Sequence, residues 1–272
     1  MNPDTEEVLA EVRRRMAEKE AAPPQALPPA ARLGYRLNRN WVWVFVAIYG
    51  VWVWLPFLAP LFMHWGWEGA ARLLYGIYSF FCHQLPERSL FFFGPKRMYS
   101  LAEIQNAWQA TNNPMILRQF IGNPQMGWKV AWSDRMISAY GGLWLFGLSW
   151  GVWQRLTGKA PRFRWWMAAL LALPMALDGG THFISDFAGI GQGFRYTNDW
   201  LAALTNHAFP ASFYVGDALG SFNSWMRWLT GFLFSWGLAW WIFPLLDESF
   251  QASARLILRR ARYTATAPHP GD

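Results

Sequence analysis

The sequence predicts an all-α fold: a polytopic membrane helix bundle with about four transmembrane helices, a re-entrant or interfacial helix and long extracytoplasmic loops. Charged residues make up 15% of the 272 residues, whereas soluble domains average roughly 25%. Aromatic residues reach 18%, including 20 Trp, and tryptophan is enriched where a chain crosses the membrane–water boundary. Several apolar runs are also long enough to cross the hydrocarbon of a bilayer.

The first predicted span is 41–63, an uncharged run of 23 residues that would be about 34 Å long as a helix at ~1.5 Å per residue. Pro56 and Pro60 should kink its far end. The other three predicted spans are 139–157, 163–182 and 225–246. The apolar segment 69–82 is too short for a further crossing, so we expect it to be the re-entrant or interfacial helix.

The regions outside the spans divide by composition. Residues 1–20 read as a charged cytoplasmic helix, and 21–40 as a Pro-rich linker followed by a basic pre-membrane segment. The membrane domain is 41–246, and 247–272 form a basic cytoplasmic tail. The N-terminal stretch lacks the short apolar core of a secretory signal, so we expect no removable signal peptide.

Basic residues set the predicted orientation in the cell membrane. They cluster before the first span, in the tight loop 154–164 and in the tail, whereas 183–224 holds one basic residue, Arg195. The positive-inside rule therefore places both termini and loop 154–164 in the cytoplasm, and 64–138 and 183–224 outside. The net charge of +7 accompanies apolar runs, so membrane lipid is a better partner than nucleic acid.

Three polar clusters fall on the predicted extracytoplasmic face although at least 40 residues separate them. They contain the candidate site residues, which are Cys82, His83, Gln84 and Arg88 in the first cluster, Asp134, Arg135 and Tyr140 in the second, and Asp178, His182 and Asp186 in the third. The positive-charge count does not require this agreement. The sequence therefore predicts one polar site at the outer membrane interface.

The chemistry of this site is open to three interpretations. Asp178, His182 and Asp186 are spaced four apart, which stacks them on one helix face, and a carboxylate can orient an imidazole or share a metal with it. Cys82 and His83 could add ligands, so Cys82, His83, Asp178 and His182 are a candidate set for a divalent metal such as zinc. The same side chains could instead perform metal-free acid–base or binding chemistry, or have a structural role.

Two arginines near the membrane boundary need partners. Arg88 and Arg135 could pair with acidic residues of the same clusters, which are Glu87, Asp134, Asp178 and Asp186. Lipid phosphate is the other natural partner because the guanidinium fork matches its geometry. Cys82 is the only cysteine, so an intrachain disulfide is excluded.

At these motifs the chain resembles a family of predicted membrane proteins called domain of unknown function 2085. The segment CHQLPERS (82–89) resembles its leading motif, and the resemblance covers roughly 70–185. A second family motif, C-A-R-C-T-G-I-Y-x-G, aligns with 133–142, where Arg135, Tyr140 and Gly142 match and Ser133 and Met136 replace the cysteines. The resemblance implies a multi-pass fold and no particular activity, and any metal bound through those thiols could not be bound in the same way here.

Three classes of function remain open, and the sequence does not decide whether the protein is an enzyme. The first is an enzyme or lipid-binding protein with a polar site at the outer interface, acting on an amphiphile such as a lipid phosphate. The second is a structural or assembly subunit that contacts another membrane protein, since Gly147 and Gly151 form a small-xxx-small pair. A transporter ranks lowest, because the centres of three predicted spans lack ionisable residues other than tyrosine.

Overall fold

The computed structural model describes residues 6–14 and 27–264, and it divides the chain into two units. One unit combines 1–44 with 245–272, and the other is 45–244. The described chain is mostly helical. All of the polar clusters predicted from the sequence fall in the 45–244 unit.

The first unit contains helix α1 over 6–14, helix α2 (Pro29–Arg39), the start of α3 (Trp41–Trp54) and the end of α14 (Phe222–Thr264). Within it, the Trp41 indole donates a hydrogen bond to Asp247 at 2.8 Å. Helical structure extends into two of the predicted segments outside the spans. Within the predicted linker and basic pre-membrane segment 21–40 it begins at Pro29, because proline suits the first position of a helix, and within the predicted tail 247–272 α14 continues as far as Thr264. The linker and charged-helix residues 15–26 lie outside the described residues.

The second unit begins within α3 and passes through a 3-10 turn (Leu55–Phe57) into α4 (Leu58–His64). This turn includes Pro56, one of the two prolines at which the sequence predicts a kink. Helix α5 (Glu68–Tyr78) follows and overlaps the predicted short apolar segment 69–82. It buries Leu74, Tyr75 and Tyr78 in an aromatic core that includes Trp132.

The mostly helical fold also contains a three-stranded antiparallel sheet, which the predicted all-α class does not include. Strands β1 (Ser89–Phe92), β2 (Gly122–Asn123) and β3 (Gly127–Ser133) are arranged in the order β1-β3-β2. Between them lie α6 (Leu101–Ala107) and α7 (Pro114–Leu117). The sheet brings the predicted CHQLPERS motif beside the start of the second cluster, because Ser89 pairs with Ser133.

Three helical segments are long and apolar enough to cross a membrane among the described residues: Trp41–His64, Trp165–Asp186 and Phe222–Ala261. The second of these is α10 (Trp165–Asp186), which continues through Gly179 and Gly180. The predicted span 139–157 corresponds to α9 (Gly142–Thr157), whose 16 residues are shorter than the other three.

Helix α9 is preceded by α8 (Asp134–Met136) and by one π-helical turn (Ile137–Gly141). The π-helical turn packs closely on α14. The Ser138 hydroxyl donates to the carbonyl of Arg227 at 2.9 Å, and the Ser235 hydroxyl donates to the carbonyl of Ala139 at 2.6 Å. Gly147, which the sequence suggested for contact with a partner, instead packs against Phe243 of the same chain.

The remaining described chain forms three short helices between α10 and α14. These are α11 (Phe194–Thr197), α12 (Asp199–Leu204) and α13 (Ala211–Tyr214). Asn198 joins α11 to α12 in a left-handed conformation with φ of 47°. Its buried side-chain amide donates to the carbonyls of Arg195 and Tyr214, each at 2.7 Å. This contact fixes the loop that carries Arg195.

Candidate functional site: a buried arginine–aspartate network and its pocket

Charged side chains from separate elements meet at one end of the second unit. They come from six parts of the unit: the segment after α5, the start of α8, the end of α10, α11, the loop before α14 and the first turns of α14. We call them the Arg–Asp network: Arg88, Asp134, Arg135, Asp178, His182, Asp186, Arg195, Asp217 and Arg227. Four arginines and four aspartates are present, so their formal charges cancel.

Asp217 lies at the centre of this network. Its carboxylate accepts from Arg88 Nε at 3.0 Å and from Arg227 Nη1 at 2.7 Å, and His182 Nε2 lies 3.3 Å from it. Burial by itself would raise the pKa of Asp217, but the guanidiniums of Arg88 and Arg227 hold that pKa well below its usual range. The carboxylate is therefore ionised and fully engaged.

The outer arginines each contact both oxygens of one carboxylate, Arg88 through two nitrogens and Arg227 through the single Nε–H group. Arg227 Nε donates to both oxygens of Asp134 at 2.7 and 2.9 Å. Arg88 Nη1 and Nη2 donate to the two oxygens of Asp186 at 2.8 and 2.9 Å. Contacts to both carboxylate oxygens fix the orientation of the paired side chains. The Asp134–Arg227 pair therefore joins α8 to α14, and the Arg88–Asp186 pair joins the segment after α5 to the end of α10.

Asp178 forms the second branch. Its two oxygens accept from Arg135 Nη2 at 2.7 Å and from Arg195 Nη2 at 2.6 Å. His182 joins the branches, because its Nδ1 lies 3.7 Å from Asp178 and its Nε2 faces Asp217. Both ring nitrogens of this buried histidine thus point at carboxylates.

Glu87 and Lys129 are buried beside the network without joining it. Neither oxygen of the Glu87 carboxyl has a hydrogen-bond partner, and burial raises its pKa to about 7. Lys129 Nζ donates to the carbonyls of Gln84 and Arg118, each at 2.7 Å, and burial lowers its pKa to about 7. Glu87 was predicted as a possible partner of an arginine, but its carboxyl group makes no hydrogen bond to one.

A pocket of about 390 Å³ opens beside the Arg–Asp network. Its polar lining comprises Cys82, His83, Gln84, Arg88, Ser133, Arg135, His182, Asp186 and Arg227, and its apolar lining includes Leu85, Met136, Phe183, Phe187 and Ile190. Such a cavity is within the ~300–1,000 Å³ range of small-molecule sites. It has a charged side and an apolar side.

Arg135 differs from Arg88 and Arg227, the other arginines that line the pocket, because some of its guanidinium N–H groups make no hydrogen bond within the described part of the chain. Its Nη2 contacts Asp178, and within the described part of the chain its Nε and Nη1 make no hydrogen bond. A Cβ added at Gly179 would lie 2.6 Å from Nη1. Gly179 therefore gives the guanidinium the room it occupies against α10.

Residues of the first polar cluster also line the pocket. His83 is exposed there, and Cys82 is buried with its Sγ accepting from the backbone N–H groups of Gln84 at 3.3 Å and Ser133 at 3.4 Å. Gln84 has a left-handed backbone with φ of 53°. Its side-chain amide donates to the carbonyl of Tyr75 at 2.9 Å, which holds this unusual conformation.

The candidate metal ligands are not assembled into one centre. Among the residues that the structure describes, no group of three or more His, Cys, Asp or Glu side chains is placed to hold a metal ion. Asp178 and His182 are neighbours, but both oxygens of Asp178 accept from arginines. The arrangement of these side chains therefore gives the predicted zinc site no support.

The structure brings together nine of the ten predicted site residues in the network or the pocket lining. Tyr140 is the exception, since its ring packs against Trp52 and Trp132 with centroid distances of 5.0 and 5.1 Å. Three network residues, Arg195, Asp217 and Arg227, were not among the predicted site residues. Arg227 had a usable signal, because an arginine near the end of an apolar span needs a partner.

Comparison with known proteins identifies the region that includes most of this site. Residues 124–241 match the sequence model of a family described as "Predicted membrane protein (DUF2085)", so the resemblance indicated by the sequence motifs is confirmed. The matched range is displaced from the predicted 70–185 and starts after Arg88.

A stretch of 45 residues is 47% identical to "Uncharacterized protein MJ1492" of Methanocaldococcus jannaschii. This match covers 15% of the present chain and 29% of that protein, so the chain spans less than a third of this relative's length. No solved structure matches the chain.

Proposed function

We propose that this member of the DUF2085 family of predicted membrane proteins, matched over residues 124–241, has a binding function. Its ligand carries a phosphate group and lies in the pocket beside the Arg–Asp network. The pocket lies at the extracytoplasmic face of the cell membrane in this proposal. The chain crosses the membrane four times, with α9 and its preceding π turn as the fourth crossing, and both termini are cytoplasmic.

The single observation that carries the proposal is the incomplete pairing of Arg135. The guanidinium of Arg88 contacts two aspartates, as does that of Arg227, whereas Arg135 contacts one aspartate through one nitrogen. Its remaining donors belong to a side chain that lines the pocket. A guanidinium with unused N–H groups can donate charge-assisted hydrogen bonds to the oxygens of a phosphate.

The surroundings of Arg135 favour an anion over a cation. Arg88 and Arg227 also line the pocket, and both lower the pKa of Arg135 together with burial, which is the largest cause. An added anion near Arg135 would relieve this repulsion. Exposed His83 makes no hydrogen bond within the described chain and could donate to the same anion.

Binding is better supported than catalysis at this site. His182 lines the pocket, but its Nδ1 faces Asp178 and Arg135 while its Nε2 faces Asp217. Neither nitrogen is directed at the space that a ligand would fill. His182 therefore orients the carboxylates, and a general acid or base would need a free position within reach of the ligand.

The test is calorimetric titration of the purified protein in detergent with hexyl phosphate, a water-soluble phosphate monoester. We expect saturable binding, weakened at least about tenfold in Arg135→Gln because charge-assisted hydrogen bonds are worth ~1.5–3 kcal/mol each. Arg97→Gln is the matched control, since Arg97 is an exposed arginine that does not line the pocket. Absence of saturable binding, or equal binding by Arg135→Gln with an unchanged thermal midpoint, would refute the proposal.

A further inference from the structure

We infer that the ligand is a membrane lipid with an exposed phosphate headgroup, and that it enters the pocket sideways from the bilayer across the outward face of α10. This inference rests on the proposed function and names the source of the phosphate. A freely soluble phosphate would carry the same recognised group, so the experiment below separates the two sources.

Helix α10 presents two different faces over its last turns. Asp178, His182 and Ser185 are buried toward the rest of the unit, whereas Phe183 and Phe187 are 66% and 77% exposed. The helix is long and apolar enough to cross a membrane. Exposed phenylalanines on such a helix lie against acyl chains, because lipid tails accept apolar side chains as readily as a protein core does.

The same two phenylalanines line the pocket. The cavity that contains Arg135 on its polar side is therefore continuous with the outward apolar surface of α10. The two rings also contact each other edge to face, with centroids 4.9 Å apart. A lipid could place its phosphate at Arg135 while its chain lies over Phe183 and Phe187.

The chain that leads into the pocket-lining first cluster is apolar as well. Phe80 is 88% exposed and Phe81 is also exposed, and they directly precede the pocket-lining Cys82 and His83. Phe81 is fixed by an edge-to-face contact with Trp52 at 5.6 Å. Exposed aromatic side chains at these positions would be costly in water and are typical of the membrane interface.

The size of the pocket agrees with partial enclosure of a lipid. Its volume of about 390 Å³ is near the lower end of the ~300–1,000 Å³ range for small-molecule sites. It can hold a headgroup and the adjoining part of a chain, so the rest of a long acyl chain must lie outside. The exposed phenylalanines supply the surface on which that chain can continue.

The experiment is photo-crosslinking in proteoliposomes of phosphatidylcholine that contain a minor fraction of phosphatidic acid. The photoreactive residue p-benzoylphenylalanine is placed at Phe187 or, as a matched control, at Leu170, another exposed apolar position of α10. We expect crosslinks from position 187 to be enriched in phosphatidic acid about tenfold over its mole fraction, as a headgroup preference of ~1.4 kcal/mol would give. Crosslinks from position 170 should follow the mole fraction.

Two further variants connect the enrichment to Arg135. Gly179→Ala should abolish it without removing a charge, because the added methyl displaces the guanidinium, whereas Gly180→Ala has open space and should preserve it. Hexyl phosphate binding without enrichment at position 187 would overturn the lipid inference and leave the proposed function standing. Loss of both signals in the folded protein would overturn both.

Discussion

Arg135 and Glu87 show how unequal the charged residues around the pocket are. Arg135 has donors that are free for a ligand, while Glu87 is an acid enclosed without a hydrogen-bond partner. The other network arginines are paired with carboxylates, and a buried pair is costly to break because the remaining charge stays desolvated. At the scale of single residues, ligand chemistry and stability therefore depend on different side chains.

Glu87 predicts a specific pH dependence of stability. Its pKa is raised by burial from near 4.5 to about 7, so the folded protein binds a proton that the unfolded chain releases between these values. The stability from this group is fully present below pH 4.5 and is lost as pH rises through 7, by roughly 3 kcal/mol. Glu87→Gln should therefore raise the thermal unfolding midpoint at pH 8 and change it little at pH 4.5.

The control for this measurement is Glu68→Gln, which changes an exposed carboxylate on α5. It should shift the midpoint equally little at both pH values. If the Glu87→Gln difference does not grow between pH 4.5 and 8, then the carboxyl is not enclosed as described.

Sequence reasoning at the residue scale succeeded where a polar side chain lay in a recognisable cluster. The sequence indicated Asp178 and Asp186 as candidate ionic partners of the two arginines, and the structure pairs Arg88 with Asp186 and Arg135 with Asp178. Asp217 was missed because its Gly- and Asn-rich surroundings resemble an ordinary loop. Its central position depends on three contacts from distant elements, and no local pattern records them.

Among the elements, the π turn and α14 pack in close contact. A Cβ at Gly231 would lie 2.0 Å from Ser138 Oγ. The residue can only be glycine if the hydroxyl of Ser138 is to reach the Arg227 carbonyl. This packing fixes the position of Arg227 along α14 relative to Asp134, and so it helps to hold their ion pair in the Arg–Asp network.

Gly231→Ala should lower the free energy of unfolding by ~1–3 kcal/mol, the usual cost of overpacking. Gly180→Ala is the matched comparison, because an added methyl there meets nothing within 4 Å and alanine favours a helix by ~0.5–1 kcal/mol over glycine. Thermal or denaturant unfolding in detergent gives the two values. Equal stability of the two variants would contradict the close contact.

The elements that the sequence predicted best were those with long apolar runs. The first and third spans agree closely with Trp41–His64 and Trp165–Asp186. The sheet was missed because β1 has only four residues and β3 is largely buried on both faces, so neither shows in sequence the alternation that identifies a strand. The sequence did not indicate the helical continuation beyond 246, because its charges were interpreted as a basic cytoplasmic tail.

For the whole molecule, the orientation in the membrane remains a prediction from the basic residues. In a Cys82→Ser background, cysteine at Gln125 or Asn206 should react with an impermeant maleimide in intact cells. Cysteine at Lys159 should react only after permeabilisation. All three positions are exposed, so access depends on the membrane side, and labelling of 125 and 206 from opposite sides would contradict the four-span arrangement.

The long separations within the network have a consequence for how the protein is made. Arg88 and Asp217 are 129 residues apart, and Asp134 and Arg227 are 93 apart. During synthesis, the chain exposes Arg88, Asp134 and Asp178 before their last partners have been made. Until then these charged side chains must stay near water, because burying each of them in hydrocarbon would cost ~2.5–3.5 kcal/mol of free energy. Closure of the site is therefore a late event in biogenesis, and a ribosome stalled before residue 217 would hold a chain that still lacks the centre of its charge network.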